Sequence, residues 1–243
     1  MKPLIYSHLY ELPGTSARGR STLRSTLTMW LDHLRGPGGY RGDVLLFTNA
    51  ADLPVRDVML RPLRGVGADS SHAFLNRVLM YEDVPVREYD VALQMDLDIL
   101  AVDDVAPLFP RDERLWAAPS NLRTLDRRHT WELLPRWRRG LHRLTRWRLN
   151  ELGVSACVVG SATSAWRRNF GAWANVIREF RDRPVPRQAD QSFLNLLWLR
   201  GTIPIARWSP REICHREWHH AAEARLLHFP GARKDQMARF RKV

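Results

Sequence analysis

The stretch Tyr89–Phe109, YDVALQMDLDILAVDDVAPLF, decides how the rest of the chain is read. An apolar run from Val91 to Met95 leads directly into Asp96-Leu97-Asp98. A second apolar patch, Ile99-Leu100-Ala101-Val102, follows, and then Asp103-Asp104. Apolar runs of this length, bounded by polar residues, predict buried strands. In an extended chain, residues i and i+2 point to the same side, so Asp96 and Asp98 are expected to converge where the strand ends. Two like charges there are costly unless a cation or a donor group neutralises them. That requirement marks the stretch as a candidate site. The plainer reading is that one of the two aspartates caps a turn.

On the N-terminal side, Leu4–His8 predicts a first strand, and Tyr10 to Gly19 a loop with Pro13-Gly14 as its turn signal. Leu23, Leu27, Trp30, Leu31 and Leu34 fall at helical spacing, with arginines on the other faces. Gly36-Pro37-Gly38-Gly39 ends that helix. Asp43–Thr48 and Val58–Leu60 predict two further strands, and Ser70 or Ser71 caps a helix carrying Phe74, Val78 and Tyr81. On the C-terminal side, Leu115–Ala118 and Val154–Gly160 predict strands. Trp166, Phe170, Trp173, Ile177 and Phe180 mark an amphipathic helix whose stripe reads as core. Asp190–Leu197 predicts another helix, Ile203–Trp208 a strand, and Leu226–Phe229 a short apolar segment. This alternation predicts an α/β fold with a largely parallel sheet. No repeat, low-complexity linker or composition break divides the chain, so one domain over 1–243 is expected.

The formal net charge is +12, carried mostly by arginine. Such a surface favours anionic partners: nucleotides, nucleic acid or acidic lipid headgroups. Arginine bias also follows from a GC-rich genome. With 44% hydrophobic residues and 10 Trp, the chain is no disordered polyelectrolyte. Asp126 to Leu152 sets Trp131, Trp137 and Trp147 among eight arginines. It reads either as a basic insertion that grips an anionic partner or as a surface segment with solvated charges. Cys157 and Cys214 lack CxxC spacing and read as structural thiols of a reducing compartment. No apolar run reaches membrane-spanning length and no signal pattern opens the chain. A cytoplasmic protein is expected, with peripheral membrane contact through its basic surface left open.

A second candidate element lies near the C-terminus. His228-Phe229-Pro230-Gly231-Ala232-Arg233-Lys234 places an imidazole, a glycine and a cation at H-x-x-G-x-x-K spacing. Imidazole suits manganese better than magnesium. Gly231 lets backbone approach a phosphate, and Lys234 supplies a point charge for it. An ordinary surface turn is the plain alternative.

Taken together, Asp96-Leu97-Asp98, Asp190-Gln191 and the His228–Lys234 run stand in an order that resembles glycosyltransferase family 8. This is the glycogenin-like and lipopolysaccharide-galactosyltransferase-like group with the GT-A fold. The match spans nearly the whole chain apart from the basic stretch 126–152. The resemblance implies a mixed, mostly parallel central sheet flanked by helices, with a Rossmann-like nucleotide-binding half. It implies a nucleotide-sugar donor, usually a UDP-sugar, a Mn2+ or Mg2+ ion, a glycan or glycolipid acceptor, and retention of configuration. Asp96, Asp98 and His228 match the family's metal ligands. Gly231 and Lys234 match its diphosphate-binding turn. Asp190 and Gln191 match the pair at the donor sugar and reaction centre. Tyr10 corresponds loosely to residues that hold the nucleoside, and Arg77 to a basic donor contact, the metal ligand Asp96 also counting toward donor binding. The chain departs from the family at Ser155-Ala156-Cys157, where an Asn-Ser/Ala-Gly run is usual, and at Lys234-Asp235-Gln236, where Lys-Pro-Trp is usual. The first departure bears on the donor sugar.

Two other classes compete. A nucleotide-sugar-binding protein without transferase activity would bind donor and transfer nothing. A polyanion- or nucleic-acid-binding protein would bind with steep salt dependence. The latter leaves the D-x-D, D-Q and H-x-x-G-x-x-K elements without a role, so no nucleic acid is expected.

Overall fold

The computed structural model describes residues 1–63, 70–123, 152–180, 189–215 and 223–229, together with Met237. The basic stretch 126–151, Gly231 and Lys234 lie outside the described residues. The chain opens with β1 (Pro3–Leu9), α1 (Ala17–Arg35), β2 (Asp43–Thr48) and β3 (Met59–Pro62). It continues with α2 (Ser70–Leu79), β4 (Val91–Met95), β5 (Ile99–Ala101), β6 (Leu115–Arg123) and β7 (Leu152–Ala162). Then come α3 (Trp166–Glu179), α4 (Ala189–Arg200), β8 (Ile205–Arg207), β9 (Ile213–His215) and β10 (Leu226–His228).

Seven strands form the main sheet in the order β3-β2-β1-β4-β7-β6-β8. The first four run parallel, β7 runs against both its neighbours, and β6 and β8 run parallel. A small sheet, β5-β10-β9, lies beside it. The side chains of β1 alternate between two layers. Leu4 and Tyr6 pack with α2, α3 and α4, while Ile5 and Leu9 pack with α1 and the small sheet. A sheet covered on both faces needs strands apolar on both faces, which is why β1, β2 and β4 read as continuous apolar runs.

Local signals account for the element ends. Ser16 caps α1, its hydroxyl accepting from the Gly19 N–H at 3.1 Å. The helix stops at Gly36, and Gly39 takes φ +61°, a conformation that favours glycine. At Gly160 in β7 a Cβ would meet Leu93 Cδ1 at 2.8 Å and the Pro110 ring at 3.1 Å, so a larger residue there would push back Leu93 and the loop before β6. Tyr81, expected on the same helix as Phe74 and Val78, falls instead in a following 3-10 turn, Met80–Asp83. Both cysteines are buried and neither forms a disulfide, as expected for structural thiols. No helix among the described residues is long and apolar enough to cross a membrane.

Candidate active site

The parallel strands β1 and β4 lie side by side, and their C-terminal ends open onto one edge of the sheet. Ligands of open α/β sheets bind beyond such ends. β4 stops at Met95, and Asp96-Leu97-Asp98 forms a tight turn in which the Ile99 N–H donates to the Asp96 carbonyl at 3.3 Å. The Asp96 N–H in turn donates to the Cys157 carbonyl of β7 at 2.9 Å, which pins the turn to the sheet. Because the chain turns here, the period of two expected of an extended strand does not hold. The two carboxylates do not converge; they point to different neighbours.

Asp96 faces the helical layer. Arg77 of α2 donates through Nη1 to Asp96 Oδ1 and through Nη2 to Asp190 Oδ2 of α4. The same Nη2 also donates to the Ala156 carbonyl at 3.3 Å. The guanidinium is buried, as is Asp190. One planar fork thus ties the turn after β4, the strand β7 and the first turn of α4 into one charged cluster. Burial pushes the Asp96 carboxyl up to about 6, with the Arg77 charge opposing and the charges of Asp98 and Asp190 adding to the rise.

Asp98 faces the small sheet. Its Oδ1 lies 3.4 Å from His228 Nε2. The Phe229 N–H donates to the Asp98 carbonyl at 2.9 Å, and His228 stands opposite Ile99 in the ladder between β10 and β5. Burial acts to lower the His228 pKa, but the Cys157 thiol and the Asp98 carboxylate beside it outweigh burial and hold it well above the ordinary imidazole value. Cys157, read from the sequence as a structural thiol within a run that departs from the family pattern, hydrogen-bonds the imidazole directly.

α4 is fixed against the sheet by Asn195. Its amide donates to the Val154 carbonyl at 2.8 Å and accepts from the Val154 N–H at 3.0 Å. This sets the register of Asp190 and Gln191 against Ser155-Ala156-Cys157. Asp190 sits inside the first turn of α4, with its carboxylate on Arg77. Gln191 Nε2 is buried and has no hydrogen-bond partner among the described residues. Tyr10 follows directly on β1, its ring stacked on His8 at 6.2 Å. His8, buried beside Arg77 and held neutral well below its ordinary pKa by burial, carried no sequence signal beyond its place in an apolar run.

The residue types suit a hard divalent cation: Asp96 and Asp98 flank one turn with His228 of β10 beside Asp98, and carboxylate charge exceeds what Arg77 neutralises. Only Asp98 and His228 stand together. Among the described residues no three His, Cys, Asp or Glu side chains are grouped to hold a metal ion, and Asp96 is engaged by Arg77. A cleft of about 590 Å³ lies elsewhere, between Pro107–Asp112 and Trp208–Glu212, and contains none of these residues.

No family model matches the sequence. No curated protein matches it either. Solved structures do. Mouse xyloside xylosyltransferase 1, in its apo form, superposes with a TM-score of 0.61 at 12% identity, over 92% of this chain and 96% of that one. An active-site mutant of LgtC gives 0.60 at 12% identity, over 97% and 95%. The galactosyltransferase LgtC in complex with donor and acceptor sugar analogues gives 0.60 at 12% identity, over 99% and 97%. At this identity the likeness is one of fold: the chain has the GT-A fold of these glycosyltransferases, over nearly its whole length.

Proposed function

We propose that this chain, built on the fold of those transferases, is a metal-dependent, retaining glycosyltransferase that uses a nucleoside-diphosphate sugar, a UDP-sugar, as donor and a glycan or glycolipid as acceptor. One observation supports this above the others. Arg77 draws Asp96 of the D-x-D turn and Asp190 of the D-Q pair, 94 residues apart in the chain, into one buried cluster at the edge where such folds bind ligands.

In this reading the leaving group is a nucleoside diphosphate whose negative charge grows as its bond to the anomeric carbon breaks. Asp98 and His228, with Asp96 once it leaves Arg77, would hold a divalent cation, and such an ion would supply Lewis-acid stabilisation of that charge. Lys234 and backbone N–H groups near Gly231, which lie outside the described residues, would supply positive charge for the diphosphate, as the family resemblance implies. Asp190, oriented by Arg77, accepts from hydroxyls of the donor sugar. Gln191 is a poor nucleophile, and its amide, whose Nε2 has no partner among the described residues, suits a positioning role beside an oxocarbenium-like centre. The acceptor hydroxyl then attacks from the face the diphosphate leaves. Its oxygen bonds the anomeric carbon, the bond to the diphosphate breaks, and the hydroxyl proton passes to the departing diphosphate.

Calorimetric titration of UDP with and without Mn2+ tests the site. Wild type should bind far more tightly with the ion, and Asp98→Ala should lose that difference. Unchanged metal dependence in the variant removes Asp98 from the site. Gln191→Ala should lose turnover by about 100-fold or more while UDP-sugar binding changes little. Equal losses in binding and turnover would strip it of its catalytic role.

A further inference from the structure

The cleft of about 590 Å³ between Pro107–Asp112 and Trp208–Glu212 has no part in the site described above. It lies on the face of the main sheet that α1 and the small sheet cover, because its two indoles, Trp116 of β6 and Trp208 just after β8, pack with that layer. The ladder puts Trp116 opposite Ala206, and the Trp208 N–H continues it by donating to the Ala117 carbonyl at 3.3 Å. Trp116 and Trp208 are therefore diagonal neighbours on one face, with ring centres 5.7 Å apart. Glu212 adjoins Ile213, which pairs with Leu226, whereas His228 pairs with His215 at the other end of β9. The cleft and the Asp98–His228 pair thus stand at opposite ends of that ladder.

Trp116 is only half buried, yet it is held firmly. Its indole N–H donates to Asp112 Oδ1 at 2.9 Å. Asp112 Oδ2 accepts from Arg114 Nε at 2.9 Å and Nη2 at 2.6 Å, and that guanidinium lies over the indole at 5.0 Å. A fixed aromatic surface loses little conformational entropy when a ligand stacks on it. Phe109, Pro110 and Trp208 extend the apolar wall. The polar lining carries both signs, Arg111 and Arg207 against Asp112 and Glu212. Asp112 is taken up by Trp116 and Arg114, so hydrogen bonding to a ligand falls to the two arginines and Glu212. This mixture selects the occupant. A polyanion would meet two carboxylates, and a wholly apolar chain would strip water from four charged groups. A sugar ring offers apolar C–H faces to the indole, and hydroxyls at its edge that accept from guanidinium and donate to carboxylate. The volume falls within the about 300–1,000 Å³ of small-molecule sites.

We propose that this cleft is a second sugar-binding site: Trp116 stacks on a pyranose ring of a neutral oligosaccharide, and Arg111 and Glu212 hydrogen-bond its hydroxyls. On the glycosyltransferase reading above, on which this assignment of the ligand rests, the sugar belongs to the glycan acceptor and is gripped away from the end that is extended.

Calorimetric titration of maltotriose, cellotriose and triacetylchitotriose into wild type, Trp116→Ala, Trp116→Phe and Arg111→Ala tests it, with UDP in Mn2+ titrated into each. Wild type should bind at least one trisaccharide. For that one, Trp116→Ala should lower affinity by about 5- to 30-fold and Trp116→Phe, which keeps a ring, by less. Arg111→Ala, at an exposed position, should lower it by about 5-fold, the loss of one hydrogen bond. UDP affinity should stay at the wild-type value in every variant, which shows that each is folded and that the donor site is separate. If Trp116→Ala loses UDP as well, it has failed to fold, and Arg111→Ala decides. A wild type that binds no trisaccharide overturns the proposal. So does an affinity that survives both Trp116→Ala and Arg111→Ala, which places the sugar elsewhere. A wild type that binds a trisaccharide through Trp116 but no UDP overturns the glycosyltransferase reading and leaves the sugar site standing.

Discussion

Arg77 donates to Asp96, Asp190 and the Ala156 carbonyl, so one side chain joins three segments that are distant in sequence. A carboxylate that loses its buried partner is left uncompensated, which destabilises by about 3–5 kcal/mol. Arg77→Ala should lower unfolding free energy by that amount in a urea titration. Arg77→Lys should restore only part, since an ammonium cannot bridge two carboxylates as a planar fork does. A loss under about 1 kcal/mol for the alanine variant would mean the cluster is not what holds this edge together. Asp96 gives a second test. Its folded pKa is raised from 3.8 to about 6, chiefly by burial, so the folded chain holds this proton where an unfolded aspartate has lost it. The stability it contributes is complete below about pH 4 and is lost as pH climbs through about 6. Urea midpoints of Asp96→Asn should therefore fall less steeply than wild type between about pH 4 and about pH 6.5. In the proposed reading that proton would compete with a cation, and His228, raised above its ordinary value, would likewise shed one to act as a ligand. Of these residues, Asp96, Asp98 and His228 stood out in the sequence as carboxylates and an imidazole beside apolar runs, and Asp190 through the family resemblance. Arg77 entered the sequence reading only through the family resemblance, as a basic donor contact; an arginine on a helix usually reads as solvated, and the fold shows that this one is buried between two carboxylates.

At the scale of elements, the long and regular pieces were readable and the short ones were not. The apolar spacing of α1 and α3 matches the buried Leu27, Trp30 and Leu34, and Trp166, Phe170 and Trp173. The strand β9 has three residues, too few for any period to show, and its place is set by pairing with β10. The turn at Asp96 was misjudged because the period of two was carried past Met95, where the strand ends. α4 shows how an element is held by a few polar contacts. Its apolar residues are spread round the helix and mark no single face, yet Asn195 locks it to both backbone groups of Val154. Asn195→Ala leaves those groups unpaired in a buried setting and should cost about 1–3 kcal/mol by chemical denaturation. If α4 positions Gln191, turnover should fall further than UDP affinity in that variant. A parallel fall in both would show that the helix supports the fold alone.

For the molecule as a whole, the alternation of elements was enough to predict a mostly parallel α/β sheet, while strand order was not. β1 pairs with β4 across a gap filled by α1, β2, β3 and α2, a contact no local pattern encodes. Nor does the chain announce that β7 runs antiparallel between β4 and β6, since a strand buried on both faces looks the same in either direction. The topology makes stability uneven. β1, β4 and β7 lie inside the sheet, whereas β3 is an exposed edge with Met59 and Leu60 open to solvent. Amide exchange followed by mass spectrometry should be slowest in β1, β4 and β7 and fastest, among the strands of the main sheet, in β3. Protection of β3 equal to that of β1 would mean that the edge is covered in solution.

The Asp96-Leu97-Asp98 turn sits on a seam. Asp96 leans toward the helices behind the main sheet, and Asp98 toward the small sheet, so the single residue between them gauges the gap between two layers of the protein. The spacing of the motif is thus a dimension of the architecture as much as a feature of the chemistry. Whatever draws both carboxylates to one point acts as a rivet through that seam, and converts a binding event of a few ångströms into a force between layers.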